Sequence, residues 1–494
     1  VIKLKKLFSS HWLLILILVL GSFLRLYKID GYMEFLGDQG RDVYIIRDFL
    51  KNGNLFFIGP QTSIGNMYLG PWFYYFIAPS LLLANFNPIG PAVFIALVNI
   101  FTIFLVYFIG NKWFNRSAGL ISAFLFAISP VAIKYSNFIW NPNIMPLFAL
   151  LFIYFFFEAI FQHRYKFFLY ASLSFVMVIN SHYLGLALLP LPGLCWLYFL
   201  IKFIHTKSKY LKSFVANSLL AGLIFLISLT PQILFDIKHQ GQNIKALLIF
   251  FTQRETTVNI KPYKAIPQLP SIFTQINTDL ISGRQIIPGI IISVIFILLI
   301  IFYFFRNKAK NKAILVVFGW YFFGLVSLAL YKQHLYAHYF GFLFPSIFLL
   351  VGFLIHKYKI IGIPLFIMIT YFSLTNNPFL QKPNYQLIHA QNLGIAINNH
   401  LNSSDGSYNV SMLASYNDFR AQAPRYFVNQ NQLLSMEEYS PAKTLFVIID
   451  DPSKWPQGIN SDIWEINVFK ENSNYKVAEE FTSLDNTKIF KLSK

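Results

Sequence analysis

The chain has 494 residues, 56% of them hydrophobic, 18% aromatic and only 12% charged. A soluble globular protein carries about twice that share of charge, so the composition excludes an ordinary soluble domain and points to a membrane protein. The net charge of +19 comes from basic residues scattered in short loops; no basic stripe of the kind that binds nucleic acid is present, and no nucleic-acid partner is expected.

In chain order, residues 1–20 have a basic start and an apolar run with no small-residue cleavage site after it, which reads as an uncleaved first span. Apolar stretches able to cross roughly 30 Å of hydrocarbon recur up to residue 376. They predict eleven spans, at 11–27, 89–110, 117–135, 142–161, 166–181, 183–202, 213–234, 286–305, 313–331, 338–356 and 359–376. The pair 166–181 and 183–202 is short and closely joined, and also fits one broken hairpin. The single cysteine, Cys195, lies in one of these runs and offers neither a disulfide framework nor thiolate metal ligation.

The expected fold is mainly α, a polytopic transmembrane helical bundle over residues 1–376 with outer loops at 28–88 and 236–285. A small extracytoplasmic α/β domain is expected over 377–494. There, 387–401 reads as an amphipathic helix and 410–414, 444–450, 476–481 and 488–492 as strands.

Orientation follows from charge. With the N-terminus cytoplasmic, Lys3, Lys5 and Lys6, Lys112 and Arg116, Arg164 and Lys166, Lys202 to Lys212, Arg306 to Lys312, and Lys357 and Lys359 all fall inside, as the positive-inside rule requires. Counting 69–83 as a further span would reverse every later loop. Tyr68–Ala84, with Pro71 and Pro79, therefore reads as interfacial or re-entrant. Twenty of the 21 carboxylates then lie outside, Glu158 excepted. The C-terminal domain is expected at the outer face of the plasma membrane, or in the endoplasmic reticulum lumen of a eukaryote.

Five of the nine carboxylates before residue 380 crowd into the first outer loop: Asp30, Glu34, Asp38, Asp42 and Asp48. A loop near water collects charge, and Asp38 could simply cap a helix. Alternatively, Gly37-Asp38-Gln39-Gly40-Arg41-Asp42 opens a helix whose Val43, Ile46 and Leu50 stripe suits the membrane surface. Asp38 and Asp42 then share one face, with Arg41 beside them to pair or to bind an anion. A carboxylate at the boundary of water and lipid can take a proton from an acceptor hydroxyl.

Further along, Ile64-Gly65-Asn66-Met67-Tyr68-Leu69-Gly70-Pro71-Trp72-Phe73-Tyr74-Tyr75 combines turn formers with aromatics. It reads either as an interfacial belt or as a wall for stacking a sugar ring. Asn141, His182, Asp236 and Lys238 sit at outer helix ends, where solvated polar groups are ordinary. The segment from Tyr331 to Tyr339 carries Lys332, His334 and His338. Short outer loops tend to lack cations, so Lys332 suggests an anion such as phosphate. No zinc-type spacing, nucleotide loop or nucleophilic serine motif occurs.

One span, an acidic outer loop, many further spans and an outer C-terminal domain together resemble the GT-C glycosyltransferases. Within them the likeness is to glycosyltransferase family 39, which includes protein O-mannosyltransferases and aminoarabinose transferases, and it covers roughly residues 10–360. The family's Asp-Glu pair looks like Asp38-Gln39, its proline and aromatic motif like Tyr68 to Tyr75, and its Ser-Pro and later Asp like Ser129-Pro130 and Asn141. Its late basic, Tyr and Pro cluster looks like Lys332, His338-Tyr339 and Pro345. Gln39 and Asn141 stand where acids are usual, and the base before the proline pair is absent.

The resemblance implies an inverting sugar transfer at the outer membrane face, from a polyprenyl-phosphate sugar donor to an unknown hydroxyl acceptor on a lipid, glycan or protein. It implies catalysis by Asp38, with Asp42 compensating for a missing acid. Donor phosphate would be bound by Lys332, His338, Tyr339, Arg41 and Lys238, and substrate by Gln39, Tyr68, Trp72, Tyr75, Asn141, His182 and Asp236. No cofactor or metal is expected. Two other readings are a lipid-linked sugar transporter or flippase and a non-catalytic cell-envelope assembly protein. Mid-span segments nearly free of charge and without repeats favour the enzyme over the transporter.

Overall fold

A computed structural model describes residues 2–62, 67–252, 257–259, 261–307, 311–471 and 474–494, with side chains from residue 11 onward. Ile64, Gly65 and Asn66 of the aromatic motif, the Lys308 and Lys310 positions, and the side chains of Lys3, Lys5 and Lys6 lie outside the described residues. The chain forms two compact units. One comprises Val1–Tyr27, Leu55–Ser80 and Gly90–Lys382, the other Lys28–Asn54, Leu81–Ile89 and Pro383–Lys494. The outer loop 28–88, assigned from sequence to the membrane body, is thus divided between them.

The first unit is helical. Among the described residues, seven segments are long and apolar enough to cross a membrane: Ile89–Trp113, Asn141–Phe161, Tyr183–His205, Leu211–Ser228, Ile286–Asn307, Lys312–Ala329 and Ala337–Lys357. The other four predicted spans coincide with shorter apolar helices, at His11–Leu26, Arg116–Ile128, Phe167–Ser181 and Lys359–Thr375. The segment Ala337–Lys357 is central, 89% buried, whereas Leu211–Ser228 is 11% buried and turns Leu219, Leu223, Leu226 and Ile227 outward. Such an apolar exterior is what a multi-pass membrane protein presents to lipid.

Between helices, small residues set the spacing. A Cβ on Gly352 would stand 2.1 Å from Ser122 Oγ, so the Phe344–Lys357 and Arg116–Ile128 helices approach too closely for any side chain there.

Five predicted spans are not continuous, and a proline sits at every interruption; the 142–161 stretch opens as a 3-10 turn over Asn141–Ile144 before the helix Met145–Phe161, with Pro146 in its first turn. The 117–135 stretch is a helix over Arg116–Ile128 followed by a short one over Pro130–Lys134. The 183–202 stretch opens as a 3-10 turn over Tyr183–Leu188 before the helix Pro190–His205. The 213–234 stretch restarts at Thr230, one residue before Pro231, and the 338–356 stretch is 3-10 over Ala337–Leu343 before a helix with Pro345 in its first turn. Proline lacks the amide hydrogen that the preceding turn's carbonyl needs. Pro130 leaves the Phe126 carbonyl without its partner, and the chain turns away at Ser129, so Ala127 loses its own. The fully buried Arg25 guanidinium donates to both, at 3.4 and 2.9 Å, and to its own helix at Gly21, at 3.3 Å.

The second unit is built on a four-stranded sheet ordered β1-β2-β4-β3: β1 (Tyr408–Leu413), β2 (Thr444–Ile449), β3 (Lys476–Thr482) and β4 (Lys488–Ser493). The first two are parallel and the others antiparallel, with Ile449 of β2 facing Lys488 of β4. Every residue of β1 and β2 is buried, because both faces are covered, as parallel strands require. Leu393 and Ile397 of the helix Gln386–Asn399 pack with Val410, Met412, Phe446 and Ile448 on one face. On the other, Ile466 and Phe469 of the helix Trp464–Lys470 pack with Leu445 and Val447.

The segment 28–54 is fastened into this unit. The Phe35 amide donates to Gln386 Oε1 at 3.0 Å, and the Arg47 guanidinium lies 4.1 Å over the Tyr426 ring while donating to that residue's carbonyl at 2.7 Å. Residues 81–89 join through the Tyr426 hydroxyl, which donates to the Phe86 carbonyl at 2.7 Å.

Candidate active site

The acidic helix runs from Gly37 to Asn52. Gln39 sits three positions into it and is buried, its Oε1 accepting the Leu36 amide at 2.9 Å. That is the back-reaching bond of a capping box, so the residue expected to bind substrate instead holds the start of the helix. Gly40 lets the helix pass the Gln422–Arg425 turn: a Cβ there would lie 2.5 Å from the Ala423 Cα. Val43 and Ile46, predicted to lie on the membrane surface, are fully buried in protein.

Asp38, Arg41 and Asp42 form one chain of charge. Arg41 donates through Nε and Nη2 to Asp42 Oδ1, at 3.0 and 2.7 Å, and through Nη1 to Asp38 Oδ1 at 2.8 Å. The two carboxylates differ sharply in exposure, 0% for the Asp42 side chain and 50% for Asp38. Asp42 is thus a buried brace for the guanidinium. Asp38 is half exposed, and its Oδ2 has no hydrogen bond among the described residues. Arg41, expected on a donor phosphate, is committed here to two carboxylates.

In the helical unit, the proline-interrupted ends build a second cluster. Asn141 opens a 3-10 turn with Pro142 and donates to the Ser181 carbonyl at 2.6 Å. His182 follows, its Nδ1 accepting the Leu184 amide at 3.1 Å and its ring 4.5 Å from Tyr339. His338 lies 4.3 Å from the Trp140 ring and 6.4 Å from His182, and its buried Nδ1 has no hydrogen-bond partner among the described residues. The structure therefore brings Asn141, His182, His338 and Tyr339 together. A cavity of about 60 Å³ opens beside them, lined in part by His182, Tyr183 and Tyr331. The Lys332 side chain is exposed on a strap whose backbone is pinned by its amide to the Thr257 carbonyl at 3.0 Å.

Other expected residues are engaged locally. The Tyr75 hydroxyl both accepts the Phe56 amide, at 2.9 Å, and donates to that residue's carbonyl, at 3.1 Å. The Trp72 indole donates to the Ser228 carbonyl at 2.8 Å, its ring 5.9 Å from that of Tyr75. Tyr68 is held by its backbone, between Asn243 Oδ1 and the Tyr183 hydroxyl. Asp236, expected to bind substrate, spends both oxygens on the Asn243 and Ile244 amides, at 2.7 and 3.1 Å, capping the helix Gln242–Thr252. Lys238 is exposed in the last turn of Thr230–Lys238. Among the described residues, no three of His, Cys, Asp and Glu gather closely enough to hold a metal ion.

No curated protein matches the sequence. Residues 69–235 match the family of dolichyl-phosphate-mannose-protein mannosyltransferases. In fold, the chain is similar to crystal structures of ArnT from Cupriavidus metallidurans, bound to undecaprenyl phosphate and in the apo state. At 11% and 12% identity, each covers 98% of both chains with a TM-score of 0.61. The chain thus shares the fold of this ArnT. The Archaeoglobus fulgidus oligosaccharyltransferase, in complex with zinc and sulfate, matches at 12% identity over 88% of this chain and 68% of that one, with a TM-score of 0.49.

Within this fold, two residues escape the sequence reading. Lys134, at the end of a predicted span, closes the short helix Pro130–Lys134 beyond the break; its ammonium lies 5.9 Å from the Tyr135 ring and acts electrostatically on His338. The Ser129-Pro130 pair, four residues upstream, is the signal that could have exposed it. Asp418, far from the acidic loop in sequence, is buried beside Gly37, where a Cβ would stand 3.1 Å from its carboxyl carbon. Burial lifts its carboxyl to about 6 against the pull of the Gln422 and Ala423 amides and of Arg425, and the charge of Asp38 adds to the rise. No local motif marks it.

Proposed function

We propose that the protein is a membrane glycosyltransferase that moves a sugar from a polyprenyl-phosphate donor to a hydroxyl-bearing acceptor at the outer face of the plasma membrane, with inversion. The observation that carries this reading is the asymmetry of the Asp38–Arg41–Asp42 chain: a half-exposed carboxylate oriented by a guanidinium that a buried carboxylate holds still. Asp38 Oδ2 takes the proton of the acceptor hydroxyl as its oxygen attacks the anomeric carbon. The bond from that carbon to the phosphate oxygen breaks on the opposite side, its electron pair leaving with the phosphate, which is why configuration inverts.

Lys332, His338 and Tyr339, joined by Lys134, are assigned to the leaving phosphate. Asn141 and His182 are assigned to the donor sugar, and Tyr68, Trp72 and Tyr75 shape the approach to it. Asp42 orients rather than reacts. A monophosphate leaving group among cations needs no divalent metal. Undecaprenyl phosphate bound to ArnT of the same fold supports a lipid-phosphate donor.

The test is transfer from radiolabelled polyprenyl-phosphate sugars in membranes containing the protein or its Asp38→Asn variant. The variant should lose about 10²- to 10⁴-fold in rate at equal expression, and the wild type should keep its rate in EDTA. Unchanged transfer by Asp38→Asn overturns the assignment of the base.

A further inference from the structure

The second unit holds a cavity of about 550 Å³ that the Asp38 chemistry does not use. It opens where β2 ends and β4 begins, the register of Ile449 on Lys488 placing the Asp450–Ile459 loop on one side and Asn486-Thr487 on the other. Ligands of α/β sheets commonly sit outside the carboxyl ends of parallel strands, and β2 is one of the parallel pair.

The loop is built rather than slack. Asp451 Oδ1 accepts the Ser453 and Lys454 amides at 3.1 and 3.2 Å, and Lys454 Nζ donates to the Ser415 carbonyl and Asn417 Oδ1 at 2.8 and 2.7 Å. Trp455 is half-buried, its ring set edge-on against Phe419 at 5.4 Å and its indole N–H spent on the Ala414 carbonyl at 3.1 Å. What this ring offers the cavity is surface. Polar groups surround it. Asp450 gives Oδ1 to His389 Nε2 at 2.7 Å, and its Oδ2 has no hydrogen-bond partner among the described residues. The side-chain amides of Asn486 and Gln457 likewise have none there.

A fixed aromatic surface, a carboxylate oxygen and two free amides match the alternation of C–H faces and hydroxyls around a sugar ring. An anion would meet Asp450, and the cation of the lining, Lys488, is already paired with Glu480 at 2.6 Å. An extended peptide would find no strand edge to join, because β2 and β4 are the two interior strands of the sheet.

Asp450 also lines a second cavity, of about 140 Å³, whose wall includes Phe35 and Leu36. Leu36 immediately precedes the helix that carries Asp38. We propose that the large cavity is a saccharide-binding subsite that holds the glycan of a glycosylated acceptor in the unit that carries Asp38. The acceptor role rests on the reading of Asp38 as the base; the binding of sugar does not.

The test is saturation-transfer NMR on the full chain in lipid nanodiscs, free of sugar detergents, with methyl glycosides of glucose, mannose, galactose and N-acetylglucosamine and with an unglycosylated peptide. At least one glycoside should receive saturation. Trp455→Ala should weaken its Kd roughly tenfold, Gln457→Ala by about two- to threefold, and Trp455→Phe little. Should Trp455→Ala fail to fold, Gln457→Ala carries the test. No saturation of any glycoside, unchanged binding in the folded variants, or peptide binding that needs Trp455 in place of sugar overturns the proposal. Sugar binding that survives while Asp38→Asn transfers normally overturns the reading of the base and leaves the subsite standing.

Discussion

Two groups of carboxylates and cations, one in each unit, show how the same charges serve opposite ends. Around Glu158 the carboxylate is at the centre, 1% exposed, with Lys112 at 2.7 Å and Arg164 at 3.0 Å facing water. Around Arg41 the cation is at the centre, with one carboxylate buried and the other in solvent. The first group carries one surplus positive charge and leaves its acid nothing to react with. The second carries one surplus negative charge and presents it on a single oxygen. An acid whose partners enclose it holds helices together; an acid held from one side can take a proton.

That contrast can be broken by charge-neutral substitutions. After the loss expected for Asp38→Asn, the next largest effect is that of Asp42→Asn. Removing the buried brace from a mostly buried guanidinium should lower stability by about 2 kcal/mol. It should also lower kcat about tenfold with the acceptor KM unchanged, since Asp38 would be misoriented rather than lost. Thermal unfolding and transfer kinetics measure both, and full kcat in a folded variant refutes the positioning role.

Glu158→Gln should do the reverse. It should cost about 1 kcal/mol of stability, discounted because Lys112 and Arg164 can hydrate, while transfer per folded molecule stays at the wild-type rate. A kinetic defect without a stability defect would erase the distinction.

The smallest effect is in pH. Burial alone would depress His389, but its hydrogen bonds to Asp450 and Asp485, and their charges, raise it to about 9. A group raised from about 6.5 when unfolded gives its full stabilisation below that value and loses it as pH climbs through the folded value. Thermal unfolding between pH 6 and 9.5 should therefore show a decline of no more than about 1–2 kcal/mol, given the residue's partial exposure, and His389→Gln should flatten it. An equal slope in the variant would assign the decline elsewhere.

Much of this was legible in the sequence. The strands of the second unit lie within about two residues of where alternation places them, and each predicted span coincides with an apolar helix. Hydropathy reports only the average affinity of a window for lipid, and it is blind to one missing amide hydrogen. Hence hydropathy passes through the breaks at Pro130, Pro146, Pro190, Pro231 and Pro345, and over Lys134 with them. Spacing placed Asp38 and Asp42 on one helix face but could not rank their burial, which depends on distant segments such as Gln422–Arg425. Gln39 looked like a lost acid until its bond to the Leu36 amide gave it other work. Asp418 required the fold itself.

Arg25 and Pro130 lie on different helices, yet chemically they are two halves of one peptide group: the proline withholds a hydrogen and the guanidinium returns it. Neither is tolerable alone, since a proline without the arginine strands two carbonyls in an apolar interior and an arginine without the proline buries an idle charge. The two positions are therefore coupled through these bonds. Among homologues of this chain, a substitution at one should be accompanied by a substitution at the other.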